Sequence, residues 1–130
     1  MAHFAQIDEN NNVINIIAVS DSDTADENGV EIESIGVDFL KNLFGNETRW
    51  VQTSRHGRIR KRLADIGGKY DPIRDEFVLK QPFSSWTLDA ENEWQAPFPK
   101  PDPLKDYFWL EESQSWIEDE GLWKNPPQNI

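Results

Sequence analysis

The sequence predicts an α+β fold: mostly antiparallel β-hairpins in a meander, with one short α-helix packed on the sheet. Three observations predict it. Val13-Ile-Asn-Ile-Ile-Ala-Val19 is a β-branched run directly after an Asn-rich turn, the pattern of a strand closing a hairpin. Val37, Leu40, Leu43 and Phe44 fall at i, i+3, i+6 and i+7, one apolar face at helical spacing. Between Tyr70 and Trp116 three segments each open and close on a large aromatic around a polar, acidic middle.

Each element has a local reason. Ala2 to Asp8 alternates partly, with Phe4 and Ile7 apolar, and Glu9-Asn-Asn-Asn12 supplies the turn into Val13–Val19; Asn tolerates the positive φ that tight hairpin turns need. Ser20 to Asn28 reads as an acidic surface loop ending in Asn28-Gly29. Ser34 is the expected N-cap of a helix beginning near Ile35, stopped by Gly45 and with Lys41 near its negative end. A helix this short must take most of its stability from packing on the sheet. Thr48 to Thr53 predicts another strand, with Trp50 inward and Arg49 and Val51 on the opposite side. Gly57 offers a tight turn, and Gly67-Gly68 a bend or a close backbone approach.

The aromatic series reads Tyr70…Phe77, Trp86…Trp94 and Trp109…Trp116, joined by Gln81-Pro82 and by Pro97-Phe-Pro-Lys-Pro-Asp-Pro103. It predicts three hairpins, each holding an aromatic pair across its strands. Such a pair contributes about 0.2–1 kcal/mol, too little for an isolated hairpin, so these must pack on something else. Two readings stand side by side: the rings are core, or some form an exposed platform for sugar, peptide or another subunit. The six Trp in 130 residues keep the second open. One domain over residues 1–118 is expected, with a hairpin-helix-strand part (1–69) and an aromatic hairpin part (70–118). An extended tail, 119–130, carries Leu122 and Trp123.

The net charge is −11, unevenly spread. Residues 1–47 hold one Lys against ten acids, residues 48–69 seven basic residues against Asp65 alone, and residues 70–130 five against thirteen. Acidic flanks repel a polyanion and argue against a nucleic-acid binder. The central basic island, Arg55, Arg58, Arg60, Lys61 and Arg62, is either a solvated belt or a set of forked donors for carboxylates on an adjacent subunit. There is no cysteine, which excludes disulfides and thiol catalysis. No basic start and apolar run marks a signal peptide, and no apolar run approaches the ~20 residues of a membrane span.

No catalytic constellation emerges. His3 and His56 are the only histidines, and neither has a second His or a Cys with which to share zinc or iron. Asp71/Asp75 and Glu111/Glu112 are explained by solvated turns, and Asp71-Pro-Ile-Arg-Asp75 lacks the Gly and closing Glu of an EF-hand loop. Neither Gly57 nor Gly67-Gly68 matches a phosphate loop, and Ser34, Ser54 and Ser84 have no base partner at suggestive spacing. No cofactor is expected.

Several separated motifs carry a resemblance. Met-Ala-His-Phe-Ala-Gln-Ile-Asp-Glu-Asn-Asn11, Trp50-Val-Gln-Thr-Ser54, Arg58-Ile-Arg-Lys61 with Ala64-Asp-Ile-Gly67, and Tyr70-Asp71 with Arg74-Asp75 belong to it. So do Pro82 with Ser85-Trp86, and Trp94-Gln-Ala-Pro-Phe-Pro99 with Trp109 and Trp116. In this order they resemble a family of small proteins from marine tailed bacteriophages, mostly cyanophages, over residues 1 to about 118. The family's members are virion structural or uncharacterised proteins with no catalytic residues to carry over.

The resemblance implies a non-enzymatic virion component assembled in the host cytoplasm. First comes a capsid decoration or cement protein on the major capsid protein lattice. A tail or tail-fibre protein, or a carbohydrate-binding adhesion module, is the alternative. The expected partner-binding residues are Arg55, Arg58, Arg60, Lys61 and Arg62 together with Trp86, Trp94, Trp109, Trp116 and Trp123. Other virion proteins are the expected partners, with glycan as a further one and no membrane.

Overall fold

A computed structural model describes residues 1–120, in which one helix and several small antiparallel sheets make an α+β fold. The backbone gathers into two compact units, Met1–Lys80 and Gln81–Ile130. The first aromatic hairpin therefore groups with the N-terminal part and the other two with the second unit.

In the first unit, β1 (Ala2–Ile7) lies between β2 (Val13–Val19) and β3 (Arg49–Thr53), antiparallel to both. Successive side chains leave a strand on opposite faces, and β1 buries both. Ala2 and Phe4 join Val19, Leu40 and Trp50 in one cluster, while Ala5 and Ile7 join Val13, Ala64 and Phe77 in another. Double burial explains why β1 alternates only partly in sequence.

The helix α1 (Glu33–Phe44) covers the Phe4 face. It departs from expectation at its start and on its buried side. Ile32, not Ser34, occupies the N-cap in extended geometry with no side-chain cap bond. The carboxylate of Glu33 instead accepts the Gln52 backbone N–H at 2.7 Å, joining the first turn to β3. The buried residues are Gly36 and Leu40, whereas Leu43 and Phe44 are 63% and 47% exposed. Gly36 has no Cβ, so the helix settles against the Phe4 ring, with Val37 and Phe39 packed on the same cluster and the Phe44 ring 5.5 Å from that of Trp50. Gly45 ends the helix at φ 120, as expected.

The opposite face receives β4 (Lys69–Asp71) and β5 (Glu76–Val78). Tyr70 pairs with Phe77 across them, ring centroids 5.5 Å apart. Gly67-Gly68 makes the anticipated close approach: Val13 donates to the Gly68 carbonyl and Gly67 donates to the Val13 carbonyl, both at 2.9 Å.

The second unit is built from two hairpins, β6 (Thr87–Leu88) with β7 (Trp94–Gln95) and β8 (Tyr107–Leu110) with β9 (Ser115–Glu118). Trp109 faces Trp116 directly, at 5.2 Å between centroids. Trp94 faces Leu88 instead, which overturns the expected Trp86/Trp94 pair. Trp86 precedes its strand and packs edge-on against Trp109 and Trp116, at 6.0 and 5.8 Å. Three indoles in mutual T-shaped contact give this small unit its apolar centre.

One turn geometry recurs in both units. In Asp8–Asn11, Asp26–Gly29, Asp89–Asn92 and Glu111–Gln114 the carbonyl of the first residue accepts the N–H of the fourth, at 3.0, 3.0, 3.2 and 3.1 Å. The fourth residue has positive φ each time: 65, 79, 59 and 49. In the three Asp turns the carboxylate also accepts the backbone N–H groups two and four residues on. These acids are consumed by their own turns.

Candidate functional site

Each unit presents a concave surface lined in part by residues expected to bind partners. In the first unit the chain leaves β3 through a turn in which Gly57, at φ 65, donates to the Ser54 carbonyl at 2.9 Å. This turn carries exposed Arg55 and His56 beside Arg58. His3 of β1, Gln52 of β3 and Glu31 complete the lining of a groove of about 560 Å³. Glu31 is its one carboxylate, and it accepts a bond from Gln52 Nε2 at 3.1 Å. Neither Arg55 nor Arg58 pairs with a carboxylate among the described residues, so two guanidinium groups and two imidazoles share an open anionophilic surface.

The rest of the basic island is placed differently. Arg60 sits at φ 52 with its side chain 17% exposed. Its Nη1 and Nη2 fork onto Glu33 at 2.8 and 3.0 Å, its Nε donates to Asp75 at 2.7 Å, and Nη1 also reaches the Gln52 carbonyl. Its guanidinium lies 5.9 Å from the Tyr70 ring centroid. Burial works against its charge, but the bonds to Glu33 and Asp75 outweigh it and hold its pKa above the ordinary arginine value. Asp75 is held below the ordinary carboxylate range by bonds from the Tyr70 hydroxyl and from Arg60. Lys61 reaches Glu76 at 3.1 Å, and the Arg62 backbone N–H donates to the Arg60 carbonyl at 2.9 Å. The expected belt thus divides: Arg55 and Arg58 face the groove, whereas Arg60 and Lys61 tie the loop to carboxylates of their own chain. The sequence carries no signal for this division, since Glu33 and Asp75 lie 27 and 15 residues from Arg60. The same holds for His3, which tertiary folding brings to the groove.

In the second unit the Pro97–Pro103 segment runs beside Trp86 and Trp116 and encloses a groove of about 720 Å³. Trp116 Nε1 donates to the Phe98 carbonyl at 2.7 Å, and the Lys100 ammonium stands 5.3 Å from the Trp116 ring centroid. Trp109 is 6% exposed and donates through Nε1 to Glu111 at 2.8 Å. Glu111 also accepts from the Ser85 hydroxyl, the Ser84 hydroxyl and the Ser85 backbone N–H. The Ser85 bond foremost, with Trp109 and Ser84, pulls its pKa down to about 2.

The expected tryptophan platform therefore resolves into separate roles. Trp109 is core, Trp86 and Trp116 line a groove, and Trp94 is half-buried on β7. Trp123 lies outside the described residues. Among the described residues the Trp86 Nε1–H is buried without a hydrogen-bond acceptor.

Among the described residues no group of three or more His, Cys, Asp or Glu is placed to hold a metal ion, and no helix is long and apolar enough to cross a membrane. No family model, curated protein or solved structure matches the chain.

Proposed function

We propose that this chain is a non-enzymatic virion component that docks on an acidic surface of a neighbouring virion protein, the major capsid protein lattice first. Tail proteins are the alternative neighbours. The observation that carries this reading is the pair Arg55 and Arg58, presented in an open groove and unmatched by carboxylates among the described residues. Forked guanidinium donors recognise carboxylates with defined geometry. The chain's net charge of −11 makes a nucleic acid a poor occupant, because the long-range field repels it before the groove is reached. The phage resemblance supplies the setting.

The test is a particle assembled with the Arg55→Glu/Arg58→Glu double variant. Quantitative mass spectrometry of purified particles is expected to show occupancy reduced by about tenfold or more, while the isolated variant keeps the wild-type circular dichroism and melting temperature. Wild-type particles lacking the protein, or undiminished occupancy of the variant, would overturn the reading. Copy number per particle separates the lattice from the tail.

A further inference from the structure

We infer that the groove of the second unit, lined by Trp86, Trp116 and Phe98, binds the pyranose rings of an oligosaccharide. The site is distinct from the basic groove and does not depend on the docking role proposed for it.

Three observations select this occupant. The first is shape and surface: a cavity of about 720 Å³ offers two indoles, the 56% exposed Phe98 ring and three prolines. Flat, rigid, largely apolar walls of this kind suit the C–H face of a sugar ring, and they lose little conformational entropy on binding. The second is the polar complement. The Gln95 amide, whose Nε2 donates to Asp89 at 2.9 Å, still offers its carbonyl oxygen as an acceptor, and Lys100 is a donor, at an otherwise apolar groove. A ligand whose rim is hydroxyl and whose faces are apolar matches both parts. The third is the Trp86 indole N–H, buried with no acceptor among the described residues. Native proteins rarely leave such a donor unpaired; Trp86 lines this groove, and because its Nε1 is closed to solvent, a ligand oxygen reaches it only as the indole shifts on binding.

Other occupants fit less well. A polyanion would meet a single cation, Lys100, at this groove. A peptide adding a strand would need an edge longer than the two-residue β6 or β7.

The experiment titrates the full chain with the neutral sugars cellohexaose, N-acetylchitohexaose and xylohexaose, followed by tryptophan fluorescence and by NMR of the indole N–H signals. At least one sugar is expected to shift the Trp86 and Trp116 signals with a Kd of about 0.1–1 mM. Phe98→Ala and Gln95→Ala alter exposed side chains and leave the Trp109 signal in place; each is expected to weaken that binding by about fivefold or more. Arg55→Glu, in the other groove, is expected to leave it unchanged. Absence of any shift with all three sugars up to about 10 mM, or binding that both groove variants leave intact, would overturn the inference. Loss of particle occupancy in Arg55→Glu/Arg58→Glu bears on the docking reading alone.

Discussion

Gly36 of the helix lies directly against the ring of Phe4 in the central strand. A methyl group at Gly36 would stand 2.8 Å from one ring carbon and 3.1 Å from another, and closer still to Cζ. Phe4 is fully buried and has nowhere to move. Glycine inside a helix ordinarily costs about 0.5–1 kcal/mol relative to alanine, so Gly36→Ala would stabilise an unobstructed helix. Here overpacking, at about 1–3 kcal/mol, exceeds that gain. Gly36→Ala is expected to lower the urea midpoint of the first unit, and a raised midpoint would show that the helix does not approach Phe4.

Arg60 and Arg55 are five residues apart yet predict opposite phenotypes. Arg60 joins the helix start, β3 and the β4–β5 turn through Glu33, the Gln52 carbonyl and Asp75. Arg60→Lys keeps the charge and loses the fork, and is expected to cost about 1–3 kcal/mol in chemical denaturation. Arg55→Glu and Arg58→Glu touch no such network and are expected to stay within about 0.5 kcal/mol of wild type. A stable Arg60→Lys protein would show that the network is dispensable.

Glu111 predicts how the second unit responds to acid. Its folded pKa of about 2 lies below the ordinary glutamate value of 4.5 because Ser85, Trp109 and Ser84 donate to its charged form. A depressed carboxylate stabilises the fold fully above the unfolded value and loses that contribution as pH falls through the folded one. The second unit is therefore expected to weaken progressively from pH 4.5 towards 2. Glu111→Gln should flatten this dependence, as followed by the fluorescence of the Trp86–Trp109–Trp116 cluster. An unchanged acid profile in Glu111→Gln would contradict the assignment.

Local chemistry made some of this structure legible and left the rest hidden. The Val13–Val19 strand, the Asn-rich turn, the Gly45 stop and the Tyr70/Phe77 and Trp109/Trp116 pairs follow from β-propensity, turn residues and spacing within a few positions. On the helix, Val37, Leu40 and Phe44 lie on the expected side; Leu43 is exposed, and periodicity is blind to Gly36, whose missing side chain lets the helix close on Phe4. Trp86 resembles Trp109 in sequence context, but of the two hairpins of the second unit only β8–β9 holds its flanking aromatics in register. The basic island looks uniform in one dimension, and its division rests on Glu33 and Asp75, which tertiary contacts bring to Arg60. Both grooves are likewise products of folding, drawing residues from separate elements.

The recurrent turn yields a prediction whose sign differs from the usual mutation. The fourth turn residue is Asn11, Gly29, Asn92 or Gln114, each in the left-handed region. Glycine enters that region freely and asparagine tolerates it, but a longer L side chain is strained there by about 1–2 kcal/mol. Gln114, at φ 49, is the poorest match of the four, and its side chain is exposed. Gln114→Gly removes the strain and adds backbone freedom to the unfolded chain, so the net gain is expected to be at most about 1 kcal/mol. Asn92→Val, at φ 59, places a β-branched residue where that backbone is most disfavoured and is expected to destabilise by about 1–2 kcal/mol. Thermal melts of the two variants should move in opposite directions from wild type. If both fall, the β8–β9 turn does not share the backbone geometry of β6–β7.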